Sequence, residues 1–107
     1  MAAINMTNPQ FQQAMTEGKT ILVDYWAPWC SYCRRIGPAY EKIAQEYGDK
    51  IIVAKVNIDE EVQLAQQEKI GVIPTLILYK EGKRLNSVVA PESKAAINAF
   101  LKEALGL

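Results

Sequence analysis

The strongest constraint in this chain is a strand–helix–strand pattern in its first half. Ile21-Leu22-Val23-Asp24-Tyr25-Trp26 is a compact, nearly continuous apolar run, the composition of a strand buried on both faces of a mostly parallel sheet. Beyond it, Ile36, Tyr40, Ile43 and Tyr47 recur at helical spacing as far as Gly48, a residue suited to end a helix. Ile51-Ile52-Val53-Ala54-Lys55-Val56-Asn57 is a second β-rich run. Segments of these lengths in this order match a right-handed crossover between parallel strands.

The remaining segments extend the pattern. Asn8 to Thr16 reads as a short helix with Phe11, Ala14 and Met15 on one face and Pro9 in a tolerated first-turn position. Asp59 to Lys69 suits another, with Val62 and Ala65 inward. Thr75-Leu76-Ile77-Leu78-Tyr79 is a third strong strand, Glu81-Gly82 a tight turn, and Arg84 to Val89 a weaker strand completing a hairpin. Ser93 caps a last helix running to Leu105, with Ile97, Phe100, Leu101 and Leu105 on one side. Residues ahead of Asn8 look too few for a full strand. The expectation is an α/β fold, with a central mixed sheet of about four or five strands flanked by helices on both faces. The 107 residues, half of them hydrophobic and without repeats or linkers, fit a single domain spanning 1–107.

Charge removes some functions. Lysine plus arginine equals aspartate plus glutamate, twelve each, so no basic excess supports nucleic-acid binding. No stretch approaches the roughly 20 apolar residues that span a bilayer. The N-terminus lacks the basic start and apolar run of a signal peptide. A cytoplasmic location is the expectation.

The two cysteines, Cys30 and Cys33, lie three positions apart between the first strand and the long helix. A disulfide closing so short a loop barely restrains the unfolded chain, which favours chemistry over a structural staple. A zinc site needs about four ligands, and the chain has no histidine and no second cysteine pair. Cysteines at i and i+3 in a first helical turn share a face and can bridge. The positive end of the helix favours a thiolate on Cys30. An incidental buried pair is the plain alternative, and the strand–helix–strand setting weighs against it. The pair therefore reads as a redox-active dithiol working by thiol–disulfide exchange, with Cys30 attacking and Cys33 resolving.

The sequence resembles the thioredoxin family. The matching residues are Val23-Asp24-Tyr25-Trp26-Ala27-Pro28-Trp29-Cys30, Cys33 with Pro38, Lys55-Val56-Asn57-Ile58-Asp59, Ile73-Pro74-Thr75 and Lys80-Glu81-Gly82-Lys83. They span most of the chain in the family's order. The resemblance implies a thioredoxin fold and a protein-disulfide reductase with no bound cofactor. Its electrons would come from an NADPH-dependent flavoprotein thioredoxin reductase, its substrates would be disulfide-containing proteins, and it would be a monomer. It makes Asp24 the buried acid that takes the proton of Cys33, although on its own the residue reads equally as a solvated strand-end aspartate; burial should raise its pKa toward neutrality. Lys55 resembles the lysine near that acid, although on its own it reads as an exposed strand lysine. Pro74 matches a cis-proline facing the dithiol, which would let the backbone of Ile73 pair with an extended substrate. Trp29 and Ile73 would line an apolar patch around Cys30. Trp26 reads as structural, and Pro38 should kink the long helix.

Two departures stand out. Thioredoxins typically place Gly-Pro between the cysteines, where this chain has Ser31-Tyr32. Losing the proline restores an N–H in the first helical turn, which should stabilise the Cys30 thiolate and make the dithiol more oxidising. Tyrosine before the second cysteine is also a glutaredoxin habit, and some glutaredoxins hold an iron–sulfur cluster with glutathione. The Trp26 to Trp29 context and the Lys55 to Asp59 run argue against that family. The other departure is Val88-Val89-Ala90-Pro91, where thioredoxins usually have a glycine beside the groove. The competing readings are a more oxidising or glutathione-linked relative, and a redox-inactive interaction module of the same fold.

Overall fold

The computed structural model describes residues 2–107. Along the chain run β1 (Ile4–Asn5), α1 (Asn8–Thr16), β2 (Ile21–Trp26), α2 (Ser31–Tyr47) and β3 (Ile52–Asn57). There follow α3 (Val62–Gln67), β4 (Thr75–Lys80), β5 (Lys83–Val89) and α4 (Lys94–Leu105). The sheet order is β1-β3-β2-β4-β5. β3 lies parallel to both β1 and β2, and β4 and β5 run antiparallel to their neighbours. The expected mixed sheet is present, with β2 near its centre.

Local chemistry accounts for the element ends. Thr7 and Gln10 form a reciprocal capping box at the head of α1, and Ser93 caps α4 through the Ala96 N–H. Glu81 and Gly82 both have positive φ, as a two-residue hairpin turn requires. The segment ahead of α1, too short for a full strand, contributes two residues: Ile4 and Asn5 pair with Ala54 and Lys55, a register no local pattern in so short a segment announces. One expectation needs correction. The third helix is shorter than expected, six residues from Val62 to Gln67, because Asn57 folds Asp59 and Glu60 into a turn through its side chain. Pro38 lies inside α2 and the helix runs on through it.

Alternation along the strands divides the core between two faces. Ile21, Val23 and Tyr25 of β2 meet Phe11 of α1 and Leu64 of α3. Leu22 on the opposite face packs with Ile36, Tyr40 and Ile43 of α2 and Ile97 and Leu101 of α4. Asp24 follows Leu22 in alternation and therefore sits on the face that α2 covers. The central strand thus delivers a carboxylate beneath one helix and leads directly into that helix's head.

Candidate active site

β2 ends at Trp26, and four residues later the chain enters α2 with Cys30 as its N-cap. Cys30 and Cys33 form a disulfide with Cα atoms 5.2 Å apart. Cys30 Sγ occupies the place of a capping side chain and accepts the Cys33 N–H at 3.1 Å. This donor belongs to Cys33 and is separate from the N–H of Tyr32 that a proline at that position would lack. Cys33 is 3% exposed and Cys30 9%, which makes Cys30 the more accessible residue of the pair. A helix head carries unpaired N–H groups and partial positive charge, so a sulfur seated there is stabilised as a thiolate.

The Cys30 approach is braced from two sides. Trp29 is 65% exposed, yet its indole N–H donates to Asp59 Oδ2 at 2.9 Å. Arg34 reaches back from the first turns of α2 to the Pro28 carbonyl at 2.6 Å. Neither Arg34 nor Asp59 drew a role from the sequence. Asp59 lies in a motif quoted for the resemblance, but nothing local links it to a residue thirty positions earlier.

Asp24 is 1% exposed and neither carboxylate oxygen has a hydrogen-bond partner in the protein. Burial pushes its pKa up to about 7; the ammonium of Lys55 pulls it down and Glu41 adds a smaller upward push. Lys55 stands beside Asp24 in the β2–β3 register. Its Nζ lies 4.3 Å from the ring centroid of Trp26, a cation–π contact. Lys55 is therefore half-buried between an aromatic face and a carboxylate, unlike the exposed strand lysine that local sequence suggests. Tyr40, read from spacing only as core, donates its hydroxyl proton to the Ala54 carbonyl at 2.6 Å, with the Leu22 carbonyl a longer second acceptor at 3.2 Å. Burial drives its pKa well upward, so it stays a neutral donor on the Asp24 face.

The Ile73–Pro74 peptide bond is cis, as the resemblance implies. Ile73 is half-buried and Pro74 buried at the entrance to β4. The Pro74 carbonyl accepts the Ala90 N–H at 2.9 Å, which joins the Ile73–Pro74 segment to the turn after β5. Ala90 has φ +47°, a left-handed conformation that glycine adopts freely and alanine does not. Ser31 is exposed and Tyr32 half-buried, its hydroxyl donating to the Pro91 carbonyl at 2.8 Å. Among the described residues, no group of three or more His, Cys, Asp and Glu side chains is arranged to hold a metal ion.

A disulfide between cysteines three positions apart at a helix head, on a sheet of this topology, defines a thiol–disulfide oxidoreductase. A family model described as thioredoxin matches residues 2–103. The chain belongs to the thioredoxin family. It is 39% identical to thioredoxin of Alicyclobacillus acidocaldarius subsp. acidocaldarius over 97% of this chain and 99% of that protein. It is 41% identical to thioredoxin 1 of Nostoc sp. over 97% and 98% of the two chains. Identity to thioredoxin of Bacillus subtilis is 34%, over 98% of this chain and the whole of that protein. No helix among the described residues is long and apolar enough to cross a membrane.

Proposed function

We propose that residues 1–107 act as one thioredoxin-like unit that reduces the disulfides of other proteins, with Cys30 as nucleophile and Cys33 as resolving thiol. The observation that carries this reading is the disulfide at the head of α2, with the more accessible cysteine at the cap position. In the reduced protein, Cys30 thiolate attacks one sulfur of the substrate disulfide; a mixed disulfide forms and the first substrate thiolate leaves. Cys33 then gives its proton to Asp24 through water, and its thiolate attacks Cys30 Sγ. The Cys30–Cys33 bond forms, the mixed disulfide breaks, and the second substrate thiolate leaves. Two electrons have passed to the substrate.

A carboxylate with a pKa of about 7 suits this proton transfer, since it takes a proton readily yet is ionised in part at neutral pH. Lys55 limits how far that pKa rises. Trp29 and Ile73 would provide apolar contact beside Cys30, while the backbone of Ile73 would pair with an extended stretch of substrate next to Pro74. Such main-chain pairing tolerates many substrate sequences, as a general reductase needs. The Ser31-Tyr32 pair would tune the potential upward. Electrons would return from an NADPH-dependent flavoprotein thioredoxin reductase, and the protein would work as a cytoplasmic monomer.

The test couples NADPH and thioredoxin reductase to reduction of a disulfide-bonded protein. Wild type should turn over and Cys30→Ser should not. Turnover with glutathione alone would refute the assignment of reductant, and an inactive wild type would refute the reading as a whole.

A further inference from the structure

The residue between the cysteines does more than separate them. The Tyr32 hydroxyl crosses from the first turn of α2 to the Pro91 carbonyl, fifty-nine positions away, at 2.8 Å. Pro91 is buried and belongs to the turn between β5 and α4. That turn is poorly supported by its own residues. Ala90 holds a left-handed φ of +47°, which an alanine adopts only under constraint, and Pro91 has no N–H to offer. Two hydrogen bonds from outside hold it: the Ala90 N–H on the Pro74 carbonyl at 2.9 Å, and the Tyr32 hydroxyl on the Pro91 carbonyl. One ties the turn to the segment carrying Ile73, the other to the redox helix.

We propose that the Tyr32 hydroxyl is a positioning group that locks the Ala90–Pro91 turn as the far wall of the substrate groove, and so sets affinity for protein disulfides. The proposal rests on the groove reading of Ile73 and Trp29 given above. Trp29, just before the cysteines, is pinned to Asp59, and Tyr32, between them, is pinned to Pro91. A protein disulfide entering with its flanking backbone must contact that wall, whereas a small disulfide needs only the sulfur. The tyrosine ring also lines a cleft of about 390 Å³ with Arg35, Ile36, Ala39, Glu92 and Ser93. Removing the hydroxyl alone therefore preserves the packing and loosens the turn.

The experiment compares Tyr32→Phe with wild type in three readouts: amide hydrogen exchange at Ala90, the kcat/KM ratio for a protein disulfide over glutathione disulfide, and the redox potential. Loss of one partly buried hydrogen bond corresponds to about a two- to tenfold change. Ala90 exchange should accelerate by that factor, and the substrate ratio should fall by the same factor through KM. Unchanged Ala90 exchange would overturn the lock. Faster exchange with an unchanged ratio would overturn the turn's role in affinity. An equal loss on both substrates, or a moved potential, would place the hydroxyl's action on the cysteines and overturn the proposal as well. Wild-type inactivity on both disulfides would instead remove the oxidoreductase reading on which the proposal stands.

Discussion

Replacing Asp24 by asparagine should remove most of one pH dependence of stability, and the structure sets its sign and size. The carboxyl is buried without a hydrogen-bond partner, and its pKa is about 7 against 3.8 for an unperturbed aspartate. Below pH 3.8 the group is protonated in folded and unfolded chains alike and contributes no pH dependence. Between 3.8 and 7 the unfolded chain releases the proton while the folded one keeps it, so stability falls as pH rises. Above 7 both forms are ionised and the loss is complete, about 4 kcal/mol from the difference between the two values. Most of the change available between pH 5 and pH 8 is about 2–3 kcal/mol on the same relation. The assay is urea unfolding of both proteins with the Cys30–Cys33 disulfide intact, at several pH values from 5 to 8. Wild type should lose about 2–3 kcal/mol more than Asp24→Asn across that range. The asparagine amide is itself buried, so the pH trend is the diagnostic and the absolute offset is not. Parallel stability curves for the two proteins would refute the claim that burial raises this pKa.

The dithiol's potential should lie above the roughly −270 mV reference value for thioredoxin. The Cys33 N–H on Cys30 Sγ survives an exchange of Ser31-Tyr32 for Gly-Pro, but the exchange removes one further N–H from the positive end of α2 and should lower the potential. Equilibration with known glutathione ratios measures both; a potential at or below the reference, or one unmoved by the exchange, would contradict the argument. Phe11 is fully buried and meets the Tyr79 ring edge-on at 5.0 Å between centroids, so Phe11→Ala should cost about 3–5 kcal/mol in urea unfolding.

Much of the fold was legible because strands and helices write their periods into neighbouring residues. The run from Ile21 to Trp26 and the spacing of Ile36, Tyr40, Ile43 and Tyr47 located β2 and α2, and the Glu81-Gly82 turn located the hairpin. Where an element depends on a distant partner, the local pattern is silent. β1 exists through its pairing with Ala54 and Lys55, and the start of α3 depends on the Asn57 side chain.

The same division runs through the site. Cys30 and Cys33 are legible because their spacing alone puts two sulfurs on one helical face, and family motifs pointed to Asp24 and Pro74. Sequence could not show that Lys55 lies on the Trp26 ring, since β3 must first settle beside β2. Nor could it show Trp29 bound to Asp59 or Tyr32 bound to Pro91, contacts thirty and fifty-nine residues apart. The sequence by itself determined the order of elements from α1 to α4 and the presence of a redox pair, because both follow from short-range spacing. Tertiary structure alone decided the surroundings of that pair: desolvation of Asp24, the stacked Lys55, and the two tethered aromatics. Those depend on which distant atoms exclude water or come within hydrogen-bond reach, and only the packed chain brings them there.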